Sequence, residues 1–221
     1  MSTDTGQDAA VGAPAQGLAD TFADALRARG GTPHLVADLK AARDVVAELC
    51  AGLRVISDDD PVLTPVLEGL VTVTDPWVAD IGLTTAVVAA AETSTLGLAF
   101  DAAHRRRTAL VPPVHIALVP ADRLVGGYAQ TLGALGALRP VPSGIRLVSG
   151  PSSSGDIEQV HIRGMHGPVQ VHVVVVATAG RDTAEEHAEP VQQGCTEPVT
   201  EPVAEAAPDA APGVPGEPPA R

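Results

Sequence analysis

Two apolar runs, Val114-His115-Ile116-Ala117-Leu118-Val119 and Val171-His172-Val173-Val174-Val175-Val176, decide the fold class of this chain. Each is almost continuously apolar and does not alternate between apolar and polar residues, which is typical of a strand buried on both faces. Such strands need a layer of helices on each side of the sheet. The sequence therefore predicts an α/β fold with an open, mostly parallel sheet covered by helices.

Shorter patterns around these runs predict the other elements. Apolar residues at helical spacing predict helices over 18–26, 39–49 and 124–138. Apolar segments predict strands at 34–36, 53–56, 85–91, 95–99 and 145–149. Asp60-Pro61 has the sequence expected where a helix begins, a capping side chain followed by proline.

The composition changes at both ends of the chain. Residues 1–16 are small and polar without a periodic pattern, which predicts a disordered lead. Residues 180–221 are acidic and rich in proline and alanine, and they repeat Glu-Pro-Val three times. Because such a segment buries too little apolar surface to offset its ordering entropy, we expect a disordered tail. The α/β domain is predicted to span 17–179.

The composition also excludes several classes of protein. The net charge is −13 and the only basic run is Arg105-Arg106-Arg107, which argues against nucleic acid as a partner. The two cysteines form no CxxC pair, and dinucleotide, nucleotide and nucleophile-elbow loops are missing, so we expect no bound cofactor and no metal. No apolar run approaches the roughly 18 residues of a membrane span, which favours a cytoplasmic protein without membrane insertion.

A polar, turn-rich segment between 145–149 and 171–176 is one candidate site. Its serine hydroxyls and backbone N–H groups could bind an anion, and its carboxylates and imidazole could transfer protons. The same residues would also suit a loop that caps a helix. The side chains concerned are Ser152, Ser153, Ser154, Asp156, Glu158 and His166.

Glu92 is the second candidate, because it falls between two apolar runs and is followed by Thr93, Ser94 and Thr95. A carboxylate among hydroxyls can act as a base, a nucleophile or a ligand clamp. It can equally serve to accept hydrogen bonds from loop N–H groups. We therefore treat Glu92, Asp156 and His166 as candidate catalytic groups and the neighbouring hydroxyls and Glu158 as candidate ligand-binding groups.

Other histidines and arginines have simpler interpretations. His115 and His172 lie on the two apolar runs and are expected to be core histidines, and no histidine spacing favours a metal site. The run of three arginines is expected to be a solvated loop, with contact to an anion or a partner as the alternative.

Five segments together resemble the LUD-domain family of lactate utilization protein C: 80–86, 91–96, 110–116, 150–158 and 164–168 with His172. The resemblance implies a fold like that of the NagB, ribose-5-phosphate isomerase and CoA-transferase group. It also implies a role with two iron–sulfur partner proteins, LutA and LutB, in oxidising L-lactate to pyruvate. Ser94 stands where the family usually has glycine, and Ser153 where it commonly has a basic or larger polar residue.

The expected function is thus that of a subunit in an L-lactate-oxidising system, which binds a small anion or organises the complex. One alternative is a stand-alone isomerase, cyclo-ligase or CoA-transferase-like enzyme that uses Glu92. Another is a structural adaptor without catalytic activity.

Overall fold

The computed structural model describes residues 13–155, 161–164 and 166–178. These residues all lie in one compact unit, Met1–Asp182. The predicted tail, most of the predicted lead, Asp156 and Glu158 are outside the described residues. Residues 13–16, which were assigned to the lead, form the first turn of a helix.

The described residues form the following elements. The helices are α1 (Ala13–Ala28), α2 (Leu39–Leu49), α3 (Arg106–Leu110) and α4 (Tyr128–Gly136), with 3-10 turns at Pro61–Val66 and Ala121–Arg123. The strands are β1 (Thr32–Asp38), β2 (Arg54–Ser57), β3 (Val71–Thr72), β4 (Ile81–Thr85), β5 (Val88–Ala90), β6 (Thr95–Phe100), β7 (Val114–Pro120), β8 (Leu124–Val125), β9 (Gly144–Val148), β10 (Ser153–Gly155), β11 (His161–Arg163) and β12 (Gln170–Thr178).

Six of these strands form an entirely parallel sheet in the order β1-β12-β7-β4-β2-β3. The two apolar runs are the neighbouring strands β7 and β12, with His115 opposite Val171. The predicted α/β class with a mostly parallel sheet is confirmed. All carboxyl ends of the parallel strands meet at one edge of the sheet, called the carboxyl edge below, and the amino edge lies opposite.

Apolar layers cover both faces of this sheet, which explains the continuous apolar runs. On one face, Ile116, Leu118 and Val174 pack with α2 and the 3-10 turn at Pro61–Val66. On the other face, Ala117, Val119 and the alternate valines of β12 pack with α1 and a second sheet. Successive side chains of a strand point to opposite faces, so both sets of positions must be apolar.

The second sheet has four strands in the order β8-β5-β6-β9, and β10 and β11 form a separate hairpin. Leu124 belongs to β8 and pairs with Ala89, so the prediction that it begins a helix is wrong. The helix begins at Tyr128, after Gly126-Gly127, because consecutive glycines are poor helix formers and leave the preceding residues free to pair as a strand.

Gly82 sets the position of α3 against β4. A Cβ atom at this position would lie 1.9 Å from the carbonyl oxygen of Thr108. Only glycine lets the backbone of α3 approach the strand so closely. This contact places the segment that leads into α3, residues 101–105, beside the carboxyl edge.

None of the helices in the described part of the chain is long and apolar enough to cross a membrane.

Candidate functional site

The predicted serine loop lies at the amino edge of the parallel sheet. The N–H of Ser152 donates to the carbonyl of Pro168, and the N–H of Gly164 donates to the carbonyl of Ser152. The N–H of Val169 donates to Pro113, just before β12 and β7 begin. Ligands of open α/β sheets bind outside the carboxyl ends of the strands, so this loop lies at the opposite edge from the usual site.

The structure gives the members of this loop different surroundings. Ser153 is exposed and begins β10, and His166 is exposed beside Gly167. Ser154 continues β10, where it pairs with Ile162. Asp156 and Glu158 lie outside the described residues. The assignment of Ser152, Ser153 and Ser154 to a ligand site stays a prediction.

Glu92 lies in the turn between β5 and β6, against the amino end of α4. Its backbone N–H donates to Gly126, and a Cβ atom at Gly127, the residue that caps α4, would lie 3.1 Å from Oε1 of Glu92. A carboxylate is favourable at the amino end of a helix because the unpaired N–H groups and the helix dipole attract negative charge. This position agrees with the structural interpretation of Glu92, while its catalytic role stays a prediction.

The hydroxyls after Glu92 form a short network with the end of β9. The Thr95 hydroxyl lies 2.8 Å from that of Thr93 and 2.7 Å from that of Ser149. Ser94 is fully buried with φ +47°, and its hydroxyl has no hydrogen-bond partner among the described residues. In the described part of the chain, no hydrogen bond joins Glu92 to Ser152; the hydrogen bond between Thr95 and Ser149 links the turn after β5 to the end of β9.

A different group of side chains occupies the carboxyl edge: Asp58, Asp60, Thr85, Asp101 and His104, called the carboxyl-edge cluster below. Asp58 follows β2 directly, and Thr85 is the last residue of β4. The Thr85 hydroxyl donates to Oδ2 of Asp60, whose other oxygen accepts the N–H of Val62 and caps the 3-10 turn. The predicted cap at Asp60-Pro61 therefore also lies at the carboxyl edge of the sheet.

His104 bridges two carboxylates of the cluster. Its Nε2 lies 3.3 Å from Oδ2 of Asp60, and its Nδ1 lies 3.0 Å from Oδ1 of Asp101. Burial alone would lower the pKa of His104, but the hydrogen bonds to Asp101 and Asp60 outweigh burial and raise the pKa. The imidazole therefore carries a proton more readily than an ordinary histidine.

Asp58 is the most perturbed carboxyl group of the cluster. Its side chain is 6% exposed, and burial raises its pKa to about 6, although it accepts the backbone N–H of Arg105. A carboxyl group with this pKa exchanges protons near neutral pH, which is what general acid–base catalysis requires. A strongly perturbed titratable group at the carboxyl edge of a parallel sheet is a candidate for function.

Sequence reasoning missed this cluster. Asp60 was assigned only a capping role, and the acidic triplet Asp58-Asp59-Asp60 directly after a strand was the available signal. His104 and Asp101 follow β6, a strand of the second sheet, and nothing in their spacing indicates that they reach β2. The close approach at Gly82 brings them there.

His115 and His172 were both predicted to be core histidines, and His115 is one, whereas His172 is only partly buried. His115 is fully buried, its Nε2 lies 2.9 Å from the Thr84 hydroxyl, and burial lowers its pKa to about 4. His172 is half-buried and its Nδ1 lies 3.2 Å from Nε2 of His34 on β1. Within the described residues no group of three or more histidine, cysteine, aspartate or glutamate side chains could hold a metal ion.

Comparison with known proteins connects this chain to one family. Residues 78–176 match the LUD domain family, a range that includes Thr85, Asp101 and His104 but neither Asp58 nor Asp60. A lactate utilization protein C from an Exiguobacterium species is 41% identical over 102 residues, which are 44% of this chain and 44% of that protein. One from Anoxybacillus flavithermus is 28% identical over 159 residues, 72% of this chain and 70% of the relative.

For the Exiguobacterium protein and two further lactate utilization C proteins, the match spans 44% of the relative's length, which is less than half. A crystal structure of a DUF162 family protein from Deinococcus radiodurans shares the fold, with a TM-score of 0.59 and 22% identity. The alignment covers 73% of this chain and 98% of that structure.

Proposed function

This chain belongs to the LUD-domain family of lactate utilization protein C, and on that premise we propose that it takes part in the use of L-lactate. Its role would be that of a subunit that acts with iron–sulfur partner proteins in the oxidation of lactate to pyruvate. The observation that carries the proposal is the 41% identity to a lactate utilization protein C over 102 residues.

The cysteine content supports a system in which the partner proteins, and not this chain, hold the iron–sulfur clusters. The chain has two cysteines, and the one in the described region, Cys50, is buried in the core. Iron–sulfur clusters are usually held by four cysteine thiolates. The electron-carrying clusters of the system would therefore belong to proteins resembling LutA and LutB, and this chain would bind a small anion or organise the complex.

Growth tests this proposal. Deletion of the gene should impair growth on L-lactate as the sole carbon source and leave growth on pyruvate unchanged. The intact gene should restore growth on lactate. Unimpaired growth of the deletion strain on lactate, in a host without another lactate dehydrogenase, would contradict the role in lactate use.

Complementation of the deletion strain with variants identifies the residues that growth on lactate requires. Asp58→Asn tests the carboxyl-edge cluster, Glu92→Gln tests the turn beside α4, and Asp59→Asn is a matched control at an exposed neighbouring carboxylate. If the cluster binds the ligand, only Asp58→Asn should fail to restore growth at an unchanged level of folded protein. If only Glu92→Gln fails to restore growth, the functional site lies in the turn between β5 and β6 and not in the carboxyl-edge cluster.

A second candidate function is that of a stand-alone acid–base enzyme. Asp58 favours it, because proton transfer needs a group that titrates near neutral pH and burial raises the pKa of Asp58 to about 6. His104 lies in the same cluster, and its hydrogen bonds to two carboxylates raise its pKa despite burial. The partner proteins distinguish the two functions. A subunit should restore growth only when genes for both partners are present, whereas an independent enzyme should not need them.

A further inference from the structure

A cavity of about 410 Å³ lies beside the carboxyl-edge cluster. It is lined by Arg105, Arg106 and Arg107, by Asp101 and His104, and by the end of β6 and the segment before β9. Small-molecule sites have volumes of roughly 300–1,000 Å³. The cavity is therefore large enough for a small organic molecule and larger than an inorganic ion requires.

The three arginines of this cavity have no carboxylate partner in the described part of the chain. Acidic groups are abundant, since the net charge is −13, so this is not caused by a shortage of carboxylates. Other arginines do form ion pairs: Arg27 with Asp24, Arg43 with Glu68 and Arg54 with Asp80. Three adjacent cations repel one another, and a bound anion with more than one charge would relieve that repulsion.

The backbone that carries the arginines is held in place before any ligand binds. Oδ1 of Asp101 accepts the N–H groups of Ala103 at 2.8 Å and His104 at 2.7 Å. The N–H of Arg105 donates to Asp58 at 3.1 Å. Binding would therefore have to order the arginine side chains but not the backbone that carries them.

The Arg106 guanidinium is positioned by an aromatic ring. It lies 5.7 Å from the centre of the Phe100 ring, within the distance at which a cation and an aromatic face attract each other. This contact directs a planar guanidinium along the cavity wall without using its N–H donors. Those donors remain available to an anion.

We propose that this arginine cavity binds a small organic molecule through a phosphoryl group. A phosphoryl group carries a charge of about −1.5 to −2 and three acceptor oxygens, which matches a cavity lined by three arginines. The carboxylate group of lactate has one charge and two oxygens, enough for one bidentate guanidinium. The inference does not rest on the proposed role in lactate use and would stand if that role failed.

His104 and Asp101 give the cavity a second property. Asp101 opposes the arginine charges, but it is already occupied by two backbone N–H groups and by His104. His104 reaches from the cavity wall to Asp60. A molecule anchored by its phosphoryl group would thus present its remaining atoms to the carboxyl-edge cluster.

The site is tested by titrating the full chain with inorganic pyrophosphate and measuring the heat of binding by calorimetry. We expect one saturable site per chain, an affinity that falls as salt is added, and no competition from L-lactate. Arg105→Gln and Arg107→Gln should each weaken binding about tenfold or more, since each removes charge-assisted hydrogen bonds. Arg146→Gln, at an exposed arginine outside the cavity, should change the affinity by less than about twofold.

Amide chemical-shift changes of the unmodified protein give an independent location of the site and should cluster at residues 101–107. Absence of saturable binding, or equal weakening by Arg146→Gln, would overturn the proposal. Citrate that binds more tightly than pyrophosphate would also overturn it, because the cavity would then select carboxylates.

Discussion

Asp58 is a buried carboxyl group that the fold makes difficult to ionise. It follows β2 at the carboxyl edge of the sheet, and the fold encloses it almost completely. A buried carboxyl group resists ionisation, so its pKa rises to about 6. The folded protein therefore holds this proton more tightly than the unfolded chain does.

The consequence for stability is a prediction about pH. In the unfolded chain Asp58 ionises near pH 4, whereas in the folded protein it ionises near pH 6. Its contribution to stability is thus fully present below about pH 4 and is lost as the pH rises to about 6. Asp58→Asn should become more stable than the wild type by up to about 3 kcal/mol across this window.

Urea unfolding at several pH values, with Asp59→Asn as the exposed control, measures this effect. The difference in the free energy of unfolding between Asp58→Asn and the wild type should grow from about pH 4 to about pH 6 and then level off. A difference that does not vary with pH would show that Asp58 ionises normally in the folded protein.

At the scale of elements, the contact between β4 and α3 determines whether the carboxyl-edge cluster can form. The strand contributes Gly82 and Thr85, and the short helix follows the segment that carries Asp101 and His104. Because the two backbones touch at Gly82, a change there should disturb the site as well as the fold.

Gly82→Ala should therefore destabilise the protein by about 3 kcal/mol or more, since a Cβ atom 1.9 Å from the Thr108 carbonyl forces the backbones apart. Gly133→Ala is the matched control, because nothing lies within 4 Å of a Cβ atom in this part of α4. That change should stabilise the protein by about 0.5–1 kcal/mol, as alanine is the better helix former. Thermal unfolding compares the two variants, and similar melting temperatures would contradict the close-contact argument.

Sequence patterns were sufficient to predict some strands of the sheet but not others. Both apolar runs were predicted as buried strands, and β7 and β12 are neighbouring interior strands of the parallel sheet. The strand β4 was not predicted, because Gly82 and two threonines interrupt its apolar character. Its buried threonines are acceptable only because His115 and Asp60 bind their hydroxyls, and those partners are distant in sequence.

At the scale of the whole molecule, the buried apolar residues of the described part of the chain form two clusters, of which Val176 is the last member. Residues 180–221 combine proline with an acidic composition, so we expect them to add little buried apolar surface. Removal of 180–221 should change the free energy of unfolding by no more than about 0.5 kcal/mol. Denaturant titration of the shortened chain measures this, and a loss of cooperative unfolding would show that the segment packs on the domain.

The sequence by itself determined the α/β class, the buried parallel strands and the resemblance to the LUD-domain family. These properties follow from local patterns, because a strand covered on both faces must be apolar at every position. Only the tertiary structure decided which polar groups meet. The serine loop was prominent in the sequence but lies at the amino edge. Asp58 and Asp60 are more than forty residues from His104 in the sequence, yet the three meet at the carboxyl edge. Their meeting depends on the parallel order of β2, β4 and β7 and on the close approach at Gly82, and neither is encoded in the spacing of the charged residues.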